Sequence, residues 1–551
     1  MASNTASPGE QSGGGMQGVL NWIEKVGNKV PHPVLMFLYL IGFIILLSGI
    51  LDLFGTEVTE LIAVPVPVEQ VPSYYEDSSQ PMYEGAEYAD PEFELVETTI
   101  PINSMISVDG IRFIFSTFVT NFQGFGVVAV TFIAMMGAGA AEGAGLMGAL
   151  IRKLVAAAPV GLITFLIVLV GALSSIASDA GYLILIPLAA SAFVALGRNP
   201  LAGMAAGFAG VAGTFAANVI PQPTDAMMVE VANEAIALAG GEPIGVVSNY
   251  YFTAVSMVVM CLVITIVTER LIEPRLGKFD PADADPGAIE EELDAASKTR
   301  EAKGLRYALF GFLAVLAVVL LCTIPSGAPL RDPVNGDIIG TTPFMDSLLF
   351  IITLFFLISG IAYGIGAGTV KSANDVIGFI TKTFSGLAGL VFMLLMIAQF
   401  IAYFNYTNMP RVAAVAMADL LERSGIAALP LLIGFIIVIL ILDFIIPGVI
   451  PKWAIFAPVF IPIFMRLDVA PQTVLAAYRI GDSPVNTLTP LMVYLPFIVT
   501  IAQKYNRKSG IGTIISLMLP YAIAIAVTWT LLFVVWFLLD IPLGPGYPIA
   551  N

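Results

Sequence analysis

Four ionisable residues lie deep within apolar stretches of the sequence and are the first candidates for chemistry: Asp179, Asp443, Arg479 and Asp482. A charged side chain at the centre of a bilayer costs roughly 2.5–3.5 kcal/mol on insertion scales, so such a residue usually faces a cavity or a partner inside the protein. Arg479 and Asp482 are three positions apart, which places them on one face of a helix, where they can form an ion pair. A structural pair that joins two helices is one interpretation. We favour a functional one, because the pair adjoins a break in the apolar pattern.

The charged residues differ in the ligands that they suit. The guanidinium of Arg479 can hold a carboxylate through two parallel hydrogen bonds. Asp482 can bind a cation or carry a proton. Asp443 lies within the apolar run Leu431–Ile446 and predicts a cation site. The alternative for Asp443 is a partner within the protein, such as a hydroxyl group or Lys452.

Polar interruptions divide the apolar stretches at matched places in the two halves of the chain. One pair of interruptions is Ser174–Gly181 and Pro447–Lys452, and a second pair is Gly213–Asp225 and Gly481–Pro490. Glycine and proline interrupt a helix, and unwound backbone at membrane depth is tolerated only where it is buried in protein or lines a cavity. Matched broken segments in two halves of a membrane chain are typical of secondary transporters.

Four further side chains in or beside these interruptions are candidates for contact with a substrate. Asn218 and Asn486 offer side-chain amides within the second pair of breaks. Tyr182 and Trp453 stand beside the first pair, where an aromatic ring can stack on a flat ligand. The alternative for both rings is ordinary packing in the protein interior.

The composition is that of a membrane protein. Of the 551 residues, 58% are apolar and only 12% are charged, which is about half the usual charged fraction of a soluble domain. The runs Val34–Phe54, Tyr307–Ile324, Leu431–Ile446 and Ile511–Leu539 approach or exceed the roughly 20 residues that a membrane helix needs. We expect an all-helical polytopic membrane protein with substrate, lipid and no nucleic acid among its partners.

The distribution of charge predicts the orientation. The loop 55–105 holds eleven Asp or Glu and no Lys or Arg, whereas Lys25 and Lys29 precede the first span. Because basic residues stay on the cytoplasmic side, we expect the tail 1–30 in the cytoplasm and the acidic loop outside the cytoplasmic (inner) membrane. The tail is polar and resembles no cleavable signal peptide.

An internal repeat is readable at a constant offset of 271 positions. It predicts a first transmembrane repeat over 31–275, a charged linker over 276–303 and a second repeat over 304–551. Proline and aromatic residues form four pairs in this register: Pro159 with Pro430, Tyr182 with Trp453, Pro187 with Pro458, and Pro200 with Pro471.

Enzyme motifs do not stand out. The sequence contains no HExxH, no GxSxG and no P-loop lysine. The run from Arg479 to Asp482 is similar to the Gly-x-Gly-Asp of intramembrane aspartyl proteases, but Arg479 replaces the first glycine and Asp443 follows Leu442 instead of a tyrosine. An intramembrane protease is therefore a remote alternative, and we expect that the protein is not an enzyme.

With these residues in view, the chain resembles the AbgT family of transporters over nearly its whole length. The segments that carry the resemblance are Val30–Pro33, Ala177–Pro187, Leu196–Gly203 and Ala476–Ser483. The resemblance implies a homodimer whose protomers have about nine membrane helices and two re-entrant helical hairpins, with broken helices at the substrate site. It also implies transport of p-aminobenzoyl-glutamate or of sulfonamide antimetabolites, driven by protons or Na⁺.

The same resemblance suggests roles for individual residues. Asp179, Trp453, Pro471 and Arg479 resemble the substrate path of the family. Asp443 and Asp482 resemble its Na⁺ site, so Na⁺ is expected as a coupling or structural ion, and no other cofactor is expected. Two directions stay open: export of drug-like compounds in exchange for a cation, and Na⁺-coupled uptake of aminobenzoyl-glutamate or dicarboxylates.

Overall fold

The fold is known from a computed structural model. The residues that it describes are 33–65, 93–157, 159–174, 181–280, 295–339, 342–413, 415–416, 427–444, 446, 448–489 and 491–550. The predicted tail 1–30, Asp179 and parts of the acidic loop and the linker lie outside these residues.

The first half of the chain forms ten helices and two strands within the described residues. In chain order they are α1 (Pro33–Leu53), β1 (Glu57–Pro65), β2 (Phe93–Pro101), α2 (Val108–Gln123), α3 (Val127–Ala144), α4 (Leu146–Ala156), α5 (Ile163–Ser174), α6 (Ile186–Ala195), α7 (Pro200–Ala212), α8 (Pro223–Leu238), α9 (Tyr250–Val267) and α10 (Glu273–Leu276). Short 3₁₀ or π turns adjoin α5, α6 and α9: Val160–Leu162, Gly181–Leu185 and Thr268–Ile272.

The second half, over the ranges given above, is helical. In chain order the helices are α11 (Ala295–Thr323), α12 (Pro343–Asp346), α13 (Leu348–Ala367), α14 (Ala373–Gly386), α15 (Ala388–Tyr406), α16 (Ala428–Asp443), α17 (Val449–Met465), α18 (Pro471–Asp482), α19 (Leu495–Tyr505) and α20 (Ile511–Leu538). One 3₁₀ turn, Pro484–Thr487, follows α18.

Seven helices in the described part of the chain are long and apolar enough to cross a membrane, or eight if the bent segment from α4 to α5 counts as one span. The seven are Val34–Leu53, Val108–Ala144, Tyr250–Leu276, Ser297–Thr323, Leu348–Ala367, Ala388–Tyr406 and Ile511–Leu538. Four shorter apolar helices supplement them: Gly181–Ala195, Pro200–Ala212, Ala428–Asp443 and Val449–Met465. The mostly helical membrane architecture is confirmed, whereas the count of nine spans and two hairpins stays a prediction.

A two-stranded sheet departs from the expectation of an all-helical chain. β1 pairs with β2 in antiparallel register, with Glu57 opposite Pro101. Both strands belong to the acidic loop 55–105, where Val, Ile and Thr are frequent; these β-branched residues fit a strand better than a helix. The sequence analysis used only the charge of this loop, so it did not predict the two strands.

The core of the molecule is built on two short helices that start with proline. Every residue of α7 and every residue of α18 is buried. Pro200 and Pro471 occupy the first helical position of each, where the missing N–H of proline costs nothing. The two helices begin one repeat offset apart, which agrees with the predicted register, while the repeat and its domain boundaries stay a prediction.

Two glycines at equivalent positions let neighbouring helices approach these central ones closely. A Cβ atom at Gly210 of α7 would lie 2.8 Å from the carbonyl oxygen of Val168 in α5. A Cβ atom at Gly481 of α18 would lie 2.5 Å from the Cβ of Ile439 in α16. Small residues at such crossings are the usual means of packing helices in membranes.

Candidate functional site

The two loops that follow α7 and α18 meet inside the protein. The backbone N–H of Ala216, in the first loop, donates to the Oγ of Ser483, 3.1 Å away in the second. Both residues are buried. The predicted second pair of breaks, Gly213–Asp225 and Gly481–Pro490, thus brings together irregular backbone from both halves of the chain, as is required where water cannot satisfy it.

Arg479 lies at this junction with only 2% of its surface exposed. Its Nη1 forms an ion pair with the carboxylate of Asp225 and lies 3.4 Å from the carbonyl oxygen of Ala216. Its Nε donates to the Oδ1 of Asn249 at 3.2 Å. Asn249 is itself held by the hydrogen bond from its Nδ2 to the carbonyl oxygen of Gln472, at 2.8 Å. The guanidinium is therefore fixed by groups from three segments of the chain.

Asp225 is held in place by the start of α8. Its Oδ2 accepts a hydrogen bond from the backbone N–H of Gln222 at 2.7 Å, in a capping box at the N-terminus of the helix. The positive end of the helix dipole favours a carboxylate there. Asp225 thus presents one oxygen to its own helix and the other to Arg479.

Arg479 and Asp482 do not form the ion pair that their spacing allows. Arg479 pairs with Asp225 of α8, and Asp482 lies next to Lys452 of α17. Spacing along one helix shows which side chains can meet, but here each has a counter-charge on another helix.

Asp443, Lys452 and Asp482 form a second cluster of buried charges. The Nζ of Lys452 contacts the Oδ1 of Asp443 and lies 2.8 Å from the Oδ1 of Asp482, within the distance of an ion pair. The exposed fraction of the three side chains is 0%, 0% and 1% in chain order. The partner that the sequence offered for Asp443 as the alternative to a cation is therefore present. No group of three or more His, Cys, Asp or Glu within the described ranges could hold a metal ion.

The two predicted aromatic residues are both packed against rings of the protein. Trp453 is fully buried, donates from Nε1 to the carbonyl oxygen of Met228 at 2.8 Å, and has its ring centroid 4.5 Å from that of Tyr478. Tyr182 stacks on Tyr494 with centroids 4.4 Å apart. In this conformation a ring of the protein lies against each, so a substrate ring would have to displace it.

Of the remaining predicted residues, some lie close to Arg479 and others lie elsewhere. Asn218, Arg479 and Asp225 line one small cavity. Its volume is about 10 Å³, close to the space that one water molecule needs. Pro471 starts the helix that carries Arg479. Asn486 is half-buried in the 3₁₀ turn after α18. Asp179 lies outside the described residues.

Sequence reasoning missed two residues of the site, Asp225 and Asn249. Asp225 stands two residues after Pro223. Proline followed by an acidic residue is the usual signature of a helix start. This pattern explains the carboxylate without its ion pair with Arg479. Asn249 precedes an apolar helix and carries no signal of its own. Its contact with Arg479 joins residues 230 positions apart, so spacing could not predict it.

Comparison with known proteins shows the family of the chain. The model of the AbgT transporter family matches residues 18–551. The chain is 32% identical over 548 residues to the p-aminobenzoyl-glutamate transport protein of Escherichia coli (strain K12), covering 99% of both chains. The fold is similar to that of YdaH from Alcanivorax borkumensis, with a TM-score of 0.81, 32% identity, and coverage of 94% of this chain and all of that one.

A second solved structure is equally similar. MtrF from Neisseria gonorrhoeae, which is described as illuminating a class of antimetabolite efflux pumps, has a TM-score of 0.82 and 34% identity, with coverage of 96% of this chain and all of that one. These relatives are transporters and not enzymes. With buried charges at the junction of two broken helices and relatives that match its full length, this chain belongs to the AbgT family of membrane transporters.

Proposed function

We propose that the protein is a secondary active transporter of p-aminobenzoyl-glutamate or of related aromatic and sulfonamide antimetabolites. It acts in the cytoplasmic membrane and is driven by a proton or sodium gradient. The substrate class follows from the relatives, one of which transports p-aminobenzoyl-glutamate and another of which is associated with antimetabolite efflux.

The observation that carries the proposal is the buried pair of Arg479 and Asp225. A guanidinium suits a carboxylate better than any other side chain does, because its donors match both oxygens. Asp225 is such a carboxylate, and it contacts one nitrogen of Arg479. A substrate with a glutamate carboxylate can take the place of Asp225, which then keeps its hydrogen bond from the N-terminus of α8.

The substrate path extends from Arg479 to the aromatic residues. Tyr478 precedes Arg479 on α18, and its ring packs against Trp453. A benzoyl ring that enters between these two rings would replace one aromatic contact with another. We propose Tyr182, Pro471, Asn218 and Asn486 as further lining residues, and Asp179 as a carboxylate that takes part in proton or substrate handling.

Asp443 and Asp482 are proposed to handle the coupling cation. Both are buried carboxylates at helix ends close to the second break. A buried carboxylate is costly unless positive charge compensates it. Lys452 supplies one positive charge for the two carboxylates, and the remaining negative charge links the occupancy of the pair to the ion gradient.

We further propose a homodimer with the N-terminus in the cytoplasm and the acidic loop outside. Native mass spectrometry of the detergent-purified protein should give twice the protomer mass. A monomer at all detergent concentrations would contradict this part of the proposal.

The test of the function is transport by purified protein in proteoliposomes. Radiolabelled p-aminobenzoyl-glutamate is followed while a Na⁺ gradient, a pH gradient or neither is imposed. We expect saturable transport that one of the gradients accelerates. Substrate efflux driven by an inward cation gradient supports export in exchange for a cation, and substrate uptake driven by the same gradient supports the alternative, a coupled importer. Transport that responds to neither gradient would contradict coupling.

A matched control separates the site from general effects of breaking an ion pair. Arg152 of α4 pairs with Glu301 of α11 at 2.5 Å, and neither residue is among the partners of Arg479. Arg152→Gln should leave the KM for the substrate unchanged, whereas Arg479→Gln should abolish transport of carboxylate substrates.

A further inference from the structure

The cluster of Asp443, Lys452 and Asp482 lies where three helix ends come together. Asp443 is the last residue of α16, and Asp482 is the last residue of α18. Lys452 is in the first turn of α17, four positions after Gly448. Gly448 adopts a φ of +98°, a conformation that glycine tolerates.

The helix dipoles make this place attractive to a cation. The C-terminal end of a helix carries a partial negative charge of about half an elementary unit, and its last carbonyl oxygens lack partners within the helix. Two such ends and two carboxylates converge here. Negative side chains at helix C-termini are unfavourable by themselves, so the arrangement of Asp443 and Asp482 needs a positive charge between them.

Lys452 supplies that charge although its own position opposes it. An ammonium in the first turn of a helix lies at the positive end of the dipole. Lys452 is also completely buried, and a buried lysine is normally excluded unless it is paired. Its contacts with both carboxylates offset these two costs.

The cluster also retains capacity for more positive charge. With all three groups ionised, two carboxylates and one ammonium leave a formal charge of −1. Among the described residues, the Oδ2 of Asp443 and the Oδ2 of Asp482 have no hydrogen-bond partner, whereas the Oδ1 of Asp482 has its ion pair with Lys452. Unpaired buried oxygens are rare in proteins and usually mark a place for a missing partner.

We infer that Lys452 is a built-in cation, whose ammonium takes the position between Asp443 and Asp482 that a monovalent metal cation would otherwise hold. Na⁺ and the ammonium then compete for the same oxygens, and Na⁺ binds tightly only when Lys452 has been removed or has swung away. The role of this lysine in transport rests on the proposed function. In that role the ammonium of Lys452, instead of Na⁺, is the positive charge whose position changes when the substrate binds. The binding test below needs no substrate.

The test compares thermal melting of purified protein in NaCl and in choline chloride at equal ionic strength. For the unchanged protein we expect the same melting temperature in both salts. Lys452→Met keeps most of the side-chain volume and removes the charge. It should melt lower in choline chloride and regain stability in NaCl, because a ligand that binds only the folded state stabilises it. The double change of Lys452→Met with Asp482→Asn should lose that response to Na⁺.

A second measurement uses the unchanged protein and does not depend on how the variants fold. Binding of radioactive sodium at equilibrium should be weak or absent in the unchanged protein, and excess choline should not alter it. Saturable sodium binding that Asp443→Asn abolishes would overturn the inference. So would Lys452→Met protein that folds but responds equally to NaCl and choline chloride.

These outcomes separate the inference from the proposed function. A protein that transports p-aminobenzoyl-glutamate but binds Na⁺ tightly at Asp443 and Asp482 contradicts only the role of Lys452. A protein whose Lys452→Met variant gains Na⁺ binding but that moves no aromatic carboxylate contradicts only the proposed substrate.

Discussion

At the scale of single residues, the site is organised as two neighbouring ion clusters on α18. Arg479 and Asp482 project from the last turn of this helix, one towards Asp225 and the other towards Lys452. The first cluster is formally neutral, and the second has one excess negative charge. The helix thus connects a group suited to an anionic substrate with a group suited to a cation, three residues apart.

Removing Arg479 should be costly in two separable ways. Arg479→Gln leaves Asp225 buried without its counter-charge, which typically destabilises a protein by about 3–5 kcal/mol. The double change of Arg479→Gln with Asp225→Asn removes both charges and should recover most of that stability. Neither variant should bind a carboxylate substrate. Chemical denaturation followed by tryptophan fluorescence measures the stability, and scintillation proximity measures the binding.

The outcome for the double variant decides between the two roles of Arg479. Recovered stability without substrate binding supports an anchor for the carboxylate. Recovered stability together with normal substrate binding would show that the pair is only structural.

At the scale of helices, the central elements are α7 and α18, each approached closely by a neighbour at one glycine. Gly210 lies against α5 and Gly481 lies against α16, and the two glycines are equivalent in the predicted repeat. In each crossing, a Cβ atom would overlap atoms of the neighbouring helix.

Gly210→Ala and Gly481→Ala should therefore destabilise the protein by a similar amount, about 1–3 kcal/mol, because overpacking forces the helices apart. Gly434→Ala in α16 and Gly389→Ala in α15 are matched controls, since a Cβ at either position meets no atom of the described residues within 4 Å outside the local helix backbone. They should be neutral or slightly stabilising, by up to about 1 kcal/mol. Thermal melting in detergent provides the comparison. Equal losses in all four variants would contradict the packing argument.

The helix breaks and the buried charges were predictable from the sequence, but their pairings were not. Glycine, proline and isolated charges in apolar runs mark Gly213–Asp225, Gly481–Pro490 and Asp443 directly. The partners of Arg479 lie 254 and 230 positions away, at Asp225 and Asn249. Contacts across such separations depend on how the helices pack, and the packing of helices cannot be derived from the spacing of residues in one sequence. The strands β1 and β2 were not predicted because the prediction for their loop used its many acidic residues and not its β-branched ones.

At the scale of the whole molecule, the described helices divide into a buried centre and an exterior that exposes large apolar side chains. α7 and α18 are buried throughout, whereas α11 exposes large apolar side chains such as Phe310 and Leu321, 69% and 70% exposed. Exposed apolar area of this kind is stable only against lipid or a partner chain. The charges at Arg479 and Asp443 are buried in the centre, where protein groups compensate them.

The proposed orientation can be tested with single cysteines in a background of Cys261→Ser and Cys322→Ser. Val334 is 94% exposed in the loop after α11, and Thr299 is exposed at the other end of that helix. A membrane-impermeant maleimide should label Val334→Cys on intact cells and Thr299→Cys only after permeabilisation, because the basic residues at the two ends of the linker, such as Arg275 and Arg306, favour the cytoplasmic side. Labelling of both from the same side would contradict a spanning α11, and the reversed pattern would invert the orientation.

The most direct test of the central claim is the dissociation constant of p-aminobenzoyl-glutamate for the Asp225→Asn variant. If the substrate carboxylate replaces Asp225 on Arg479, then removing the charge of Asp225 removes a competitor. We predict binding that is tighter by about tenfold, or about 1.4 kcal/mol, while Arg479→Gln abolishes it. Unchanged or weaker binding by a folded Asp225→Asn protein would contradict the account, because it would show that the substrate does not meet Arg479 at this carboxylate.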